Sequence, residues 1–490
     1  MPCAEERVRR IATRHSALST RHFVIGFAAV LYLVFLIRYS PFAAAGSDAS
    51  GYLNAAHLIS EGRLHIRVAP LDVMQLDPSR WRDVFLPLGF AQAPDHRYFV
   101  PSYPLGYPLH LMVFGVIGGW NHAPYYVTPL AALLTVFVLY KIARELGMAE
   151  ALAVCAAVIL AISPGWVFQA LQPMSDVLAA LWCSITVLCA MRSDRSMRWA
   201  IACGAAFAIA VWVRPSNLLL AIAIAFAMRW NVRRLAIAVA SSIPFGIALM
   251  ITNKLIYGKA ATTGYGAIGE LMTWGACGPH QMLWLLYTLT PIIFPIGLLV
   301  AFDRHVPGWQ RWALLAWFLP FLAFYSSYAI CDAWWYLRFL LPAYPPIILA
   351  AFLLIRDFVR WRAVQLALAA AIAIVSLGFD NHYNLWHLYE GQRHEMHTIH
   401  WAEKQLPKNA LVVTMQMSGS YYYYTGKLAA RYDILDPARF EELRAYAGNA
   451  GLQWYALVYD WEEARVKERM PGNWVKVGSV YNADLLRLAN

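Results

Sequence analysis

Long apolar runs separated by short basic or aromatic segments dominate the chain. In hydrocarbon every backbone amide must find its partner inside its own segment, so such runs are predicted to be helices. They fall at approximately Phe23 to Tyr39, Tyr125 to Tyr140, Leu152 to Phe168, Val177 to Met191, Trp199 to Val213, Leu218 to Trp230, Leu235 to Asn253, Met282 to Phe302, Trp312 to Ile330, Leu337 to Ile355 and Ala363 to Phe379. The pattern predicts an all-α polytopic membrane protein with about 11 to 13 transmembrane helices. One further apolar run, Leu105 to Trp120, contains Pro108 and several glycines and is short for a crossing. As a lone span it would invert every later loop, so it is predicted to be interfacial or re-entrant, or one arm of an extra hairpin.

Beyond Asp380 the period changes. Ala410 to Gln416, Leu428 to Tyr432 and Tyr455 to Tyr459 read as strands, and Ala438 to Ala447 and Glu462 to Arg469 as helices. The expected organisation is a transmembrane domain over 1–380, with a large first outer loop at 41–124, and a small soluble α/β domain over 381–490.

Charge fixes the orientation. Lys141 with Arg144, Arg192 with Arg195 and Arg198, Arg229 with Arg233 and Arg234, Arg304 with Arg311, and Arg356 with Arg360 and Arg362 occupy alternate loops. Positive charge stays cytoplasmic, so the N-terminus is expected inside and the first loop and tail outside. The net charge of +11 is a topology signal and not a nucleic-acid footprint, because 60% of residues are hydrophobic and only 14% charged, with a mean hydropathy of +0.46. The first run follows Arg7, Arg9, Arg10, Arg14 and Arg21 and precedes Ala43 to Ala45, which imitates a signal peptide; its length and Arg38 argue for a retained helix. The seven cysteines show no CxxC or paired spacing. Cys277 and Cys331 fall in segments on the same side, which permits a disulfide between them.

Candidate chemistry gathers at the outer helix ends. Asp48 lies a few residues beyond the first helix, at the membrane surface, where a carboxylate could act as a general base; a helix cap is the simpler use for it on spacing alone. Tyr103 belongs to a rigid aromatic turn that reads as an interface anchor or a stacking surface. Asp176 could cap the helix that follows it, orient an acceptor, or join Asp48 in holding a divalent cation. Arg214 and Arg338 sit at outer helix ends where the positive-inside rule disfavours them, so they could hold a lipid phosphate or snorkel to headgroups. Tyr336 accompanies Arg338. Lys254 and Lys259, with Glu270 and His280, flank or occupy another outer loop and could touch a phosphate or an acceptor. His394, His397 and His400 recur every third residue, with His382 and His387 nearby, a weak metal pattern.

On these residues the chain resembles the C-type glycosyltransferase superfamily, in the branch of protein O-mannosyltransferases and bacterial aminoarabinose lipid A transferases. The resemblance is carried by GSDASGYLNAAHLISEGRL after the first helix, PSYPLGYPL at the loop end, QPMSD between helices and WWYLRFLLPAYPP near the last helices. MQMSGSYYYYTGKLAARYDILDP is similar to the soluble tails of some bacterial members. The resemblance implies transfer of a sugar from a polyprenyl-phosphate carrier with inversion, Asp48 as base, Asp176 as the second-loop acidic residue and Arg338 beside the carrier phosphate. Many relatives carry a second acidic residue directly after the first, where this chain has Ala49.

The expected function is therefore transfer of a sugar from a polyprenyl-phosphate donor in the lipid bilayer to an extracytoplasmic glycan, lipid or protein acceptor. The expected location is a bacterial-type inner or plasma membrane. No nucleotide-binding loop is found, and nucleic acid is not an expected partner. The rival readings are a flippase or transporter of a lipid-linked sugar and a non-catalytic membrane scaffold. Transporters tend to place charge at the bilayer midplane and to show internal repeats, whereas here the candidate residues gather at one face.

Overall fold

The computed structural model describes residues 26–266 and 272–489. The basic N-terminal stretch and Glu270 lie outside the described residues. Helix occupies each of the eleven apolar runs, from Gly26–Arg38 through to Arg362–His382. Among the described residues, five helices are long and apolar enough to cross a membrane: Ala123–Glu145, Ser175–Arg192, Val232–Tyr257, Trp334–Phe358 and Arg362–His382. Glu150–Ala161 and Pro164–Ala170 make a sixth if counted as one span bent by 61°. That is fewer unbroken spans than the sequence suggests. Pro164 opens a new segment, since it supplies no amide to the ladder, and other runs such as Met197–Val213 are short.

Hydrocarbon is the only plausible solvent for the outer helices. In Val232–Tyr257 the most apolar window has a mean hydropathy of 2.1, yet only 6% of it is buried within the protein. Trp334–Phe358, by contrast, is 83% buried and runs through the centre. Gly106–Gly118 has 13 residues, about 20 Å at 1.5 Å per residue, against a hydrocarbon core of about 30 Å. It lies backbone to backbone on Met197–Val213: a Cβ on Gly106 would sit 2.3 Å from the Val213 nitrogen. This crossing brings the turn at Tyr103 beside Arg214.

Over the helices lies an outer layer built from both the first loop and the tail. The loop forms a small antiparallel sheet of β1 (Ile66–Arg67), β2 (Phe90–Gln92) and β3 (Tyr98–Pro101), in the order β1-β3-β2. The tail begins with helix Leu388–Gln405 and carries β4 (Ala410–Val413), β5 (Gln453–Tyr459), β6 (Asn473–Val480) and β7 (Ala483–Ala489), in the order β4-β5-β7-β6. β4 and β5 are parallel, and the other pairs are antiparallel. The predicted strand at Leu428 to Tyr432 is replaced by a single bridge between Val413 and Ala430. β6 escapes the apolar pattern because much of it is exposed.

Loop and tail share one core. Trp81, Phe85 and Phe99 of the loop are buried in the same cluster as Val413, Phe440 and Trp454 of the tail. Arg439 of the tail donates to both carboxylate oxygens of Asp83 at 3.0 and 2.7 Å, a bidentate geometry that fixes orientation as well as contact. On the same face of the molecule, Cys277 and Cys331 are joined by a disulfide with their Cα atoms 5.4 Å apart.

Candidate active site

The helix that carries Asp48, Gly46–Ser60, begins at a glycine with φ of +65°, a conformation glycine adopts without steric cost. Its N-cap, Ala45, has no side chain able to cap it. The first amide is satisfied from the tail instead: Gly46 N donates to Glu395 Oε1 at 2.9 Å. Ser420 Oγ donates to the same oxygen, and the Tyr459 hydroxyl donates to Glu395 Oε2 at 2.8 Å. A carboxylate at a helix N-terminus meets both the unpaired amides and the positive end of the helix dipole. Burial pushes the Glu395 carboxyl up, and these three donors pull against it without cancelling the rise.

The rest of the helix is gripped by the same domain. Asn54 Nδ2 donates to Gly419 O at 3.0 Å, and a Cβ on Gly419 would meet Ser50 Oγ and Leu88 O, each at 2.5 Å. The Ala44 amide donates to the Tyr424 hydroxyl at 2.7 Å. Asp48, in the first turn, is thereby fixed in position by residues some 350 to 380 further along the chain.

Asp48 meets two partners. Tyr103 donates its hydroxyl to Asp48 Oδ1 at 2.5 Å, with Ser47 Oγ 2.9 Å from that hydroxyl. Arg338 Nη1 pairs with Oδ2. Burial alone would raise the Asp48 carboxyl, but the charge of Arg338, the Tyr103 hydroxyl and the more distant Arg214 outweigh it and hold the group below the usual carboxylate range. Beneath this pair lies a second. Arg214 Nη2 is 2.9 Å from Asp176 Oδ1, with the two side chains only 7% and 1% exposed, which rules out snorkelling for Arg214. Arg214 Nε also donates to Ser175 Oγ at 3.1 Å, and Tyr52 shares that hydroxyl at 2.8 Å. Phe339 joins the two cations, its ring centre 5.1 Å from the Arg214 guanidinium and 4.9 Å from that of Arg338. Arg214 Nη1 and Arg338 Nε are buried donors without a hydrogen-bond partner.

The Asp48–Arg338 pair faces a cavity of about 500 Å³, walled by Tyr336, Gln172 and Met174 on one side and by Gly391, Gln392 and Glu395 of the tail on the other. Gln392 donates to Gln172 across it at 2.7 Å. A separate apolar groove of about 200 Å³ is lined by Leu105, by Val211 and Trp212 at the end of Met197–Val213, and by the last two turns of Val232–Tyr257. Pro104 and Pro215, the chain neighbours of Tyr103 and Arg214, line its end. The site thus combines a carboxylate, a clamp of two cations and an apolar approach.

Of the residues singled out from the sequence, Asp48, Tyr103, Asp176, Arg214, Tyr336 and Arg338 come together. Lys254 does not: it is exposed and lines neither cavity. A divalent cation does not fit here. Asp48 and Asp176 are each taken up by an arginine, and among the described residues no group of three or more His, Cys, Asp or Glu side chains converges on one point, whereas such ions want about six oxygens. The histidine series makes ring contacts instead, His394 and His397 with Tyr481 and His400 with Tyr424. Glu395 and Gln392 were not anticipated. Tyr52 and Ser175 lie inside the quoted GSDASGYLN and QPMSD segments and were legible there only as part of the motif.

The fold is that of the C-type membrane glycosyltransferases. A family profile for Dolichyl-phosphate-mannose-protein mannosyltransferase matches residues 104–256. ArnT from Cupriavidus metallidurans, solved bound to undecaprenyl phosphate, superposes with a TM-score of 0.64 over 95% of this chain and 98% of that one, at 13% identity. The apo oligosaccharyltransferase of Archaeoglobus fulgidus gives 0.53 over 95% of this chain and 76% of that one, also at 13% identity. Arabinofuranosyltransferase AftD from Mycobacteria gives 0.50 at 15% identity, over 95% of this chain but only 40% of AftD. No curated protein matches the chain by sequence. At these identities the likeness is one of fold.

Proposed function

We propose that this protein is a membrane glycosyltransferase that moves one sugar from a polyprenyl-phosphate carrier to an extracytoplasmic glycan, lipid or protein, with inversion at the anomeric carbon. The observation that carries the reading is the Asp48–Arg338 pair, set in a cavity where the membrane helices meet the outer layer. The ArnT structure that shares the fold holds undecaprenyl phosphate, which supports the donor class.

The chemistry asks little beyond a base, a cation and a dry pocket. An acceptor hydroxyl or amine attacks the anomeric carbon and loses its proton to Asp48. The bond from that carbon to the phosphate oxygen breaks, and its electron pair leaves with the phosphate. Arg338 stabilises the developing charge, aided by the field of Arg214. Arg338 has two clients: a phosphate drawn to its guanidinium weakens its hold on Asp48, which raises the basicity of the carboxylate as the donor binds. Arg214 and Asp176 hold the floor of the site. The apolar groove ending at Pro104 and Pro215 suits an isoprenoid tail.

The outer placement of this face rests on two independent features. The basic clusters occupy the loops at the opposite helix ends. The Cys277–Cys331 disulfide belongs to an oxidising compartment.

Purified protein incubated with radiolabelled polyprenyl-phosphate sugars and a membrane extract tests the reading. Label leaving the carrier for an acceptor supports it. Carrier that crosses a vesicle bilayer with its sugar bond intact would point to a flippase instead.

A further inference from the structure

The tail holds a second cleft, of about 400 Å³, lined by Gly391, His394, Tyr459, Trp461, Tyr481 and Asn482. Its volume lies within the range of small-molecule sites, about 300 to 1,000 Å³. Helix Leu388–Gln405 is the wall between this cleft and the cavity of Asp48. His394 faces the cleft, Gln392 and Glu395 face the cavity, and Gly391 lines both. A Cβ on Gly391 would have no neighbour within 4 Å, so the wall is bare backbone where the two spaces meet.

The cleft is aromatic and exposed. Trp461 is 52% and Tyr481 54% accessible, whereas Phe440 and Trp454 of the same domain are buried. The rings are held in parallel pairs, His394 on Tyr481 with centroids 3.8 Å apart and Tyr459 on Trp461 at 6.0 Å, each pair inclined by 12°. The Asp460 amide donates to Asn482 O at 3.0 Å, which ties the two turns bearing Trp461 and Tyr481 together. Tyr481 occupies the β6–β7 turn with φ of +52°, where glycine or asparagine would be unstrained. Strained positions of this kind cluster at ligand-binding surfaces, and the Tyr481 ring, unlike that of Phe42, is not packed into the core.

We infer that this cleft is the acceptor subsite and that it binds an oligosaccharide. The C–H face of a pyranose is apolar and its rim is hydroxyl, which matches flat exposed rings bordered by the imidazole of His394 and the amide of Asn482. The inference rests on the transferase reading above, because it is the position beside Asp48 that makes a bound glycan an acceptor. The Tyr459 hydroxyl, whose ring lines the cleft, donates to Glu395, and Glu395 accepts from the first amide of the Asp48 helix. Cleft and carboxylate are thus joined through one side chain.

Full-length protein in a sugar-free detergent, lauryldimethylamine oxide, is applied to an array of immobilised oligosaccharides and peptides. Wild type and Asp48→Asn are expected to retain the same glycans, and Trp461→Ala to lose at least tenfold in affinity. Tyr481→Gly is expected to lose as much while melting no lower than wild type, because glycine relieves the positive φ. Equal glycan binding by Trp461→Ala and wild type, retention of peptides alone, or no glycan retained by wild type would each overturn the inference. Donor cleavage is scored separately: if it is abolished by Asp48→Asn while Trp461→Ala still binds glycan, the subsite fails and the transferase reading stands.

Discussion

Glu395 accepts a hydrogen bond from the Gly46 amide at 2.9 Å, and so a residue of the tail caps the helix that presents Asp48 two positions later. The tail therefore helps to build the site and does more than cover it.

Replacing Glu395 by alanine removes the acceptor for Gly46, Ser420 and Tyr459 at once. Loss of a helix cap costs about 1 kcal/mol and an unsatisfied buried donor about 1 to 3 kcal/mol. Glu395→Ala is expected to slow transfer by about tenfold or more, since a displacement on the order of 1 Å at a reacting group can cost far more than that. Glu395→Gln should recover part of the loss, because one oxygen remains for Gly46. Initial rates at saturating donor, beside donor affinity, measure this; an unchanged rate in Glu395→Ala would remove the positioning role.

Arg214 and Asp176 form a buried pair, and removing one partner from such a pair typically costs about 3 to 5 kcal/mol. Arg214→Met is expected to lower the melting temperature in detergent markedly, and Arg214→Met combined with Asp176→Leu to restore much of it. Equal melting of the single and double variants would mean that the pair is not a structural floor.

The depressed Asp48 carboxyl sets the sign of a pH effect. A lowered carboxyl stabilises the fold above the ordinary value of about 3.9 and loses that contribution as the pH falls through its own lower value. The acid limb of kcat/KM that belongs to Asp48 is expected below about 3.9. Arg338→Gln removes the largest downward influence, so the limb should move to higher pH, as pH–rate profiles of residual activity will show. A limb that stays in place would separate Arg338 from the carboxyl's titration.

Cys277 and Cys331 should resist alkylation until reduced, as mass spectrometry can read directly. Reduction is expected to cost about 2 to 4 kcal/mol of stability, the usual range for a bridge of moderate loop length. Free thiols at both positions in protein isolated under non-reducing conditions would count against the outer placement of this face.

What was legible in the sequence followed from local rules. Apolar length marked the helices, and two arginines standing apart from the basic clusters marked Arg214 and Arg338. The breaks were legible only in part: Pro164 is a visible breaker, but the 61° bend it opens and the 3₁₀ winding of Trp334–Ala343 do not show in apolar length. Nor was Glu395: it stands in a polar helix, and its meaning comes from a contact 349 residues away in sequence. Lys254 shows the converse, a charge beside the groove residue Asn253 whose exposed side chain lines neither cavity.

The most direct measurement is a single-turnover assay with one labelled polyprenyl-phosphate sugar, comparing wild type with Asp48→Asn and Arg338→Gln. Asp48→Asn should bind the donor with wild-type affinity and transfer its sugar at least about a hundredfold more slowly, the scale of a lost general base. Arg338→Gln should weaken donor binding as well as the chemical step. Transfer by Asp48→Asn at the wild-type rate would contradict the central claim that this carboxylate takes the acceptor's proton.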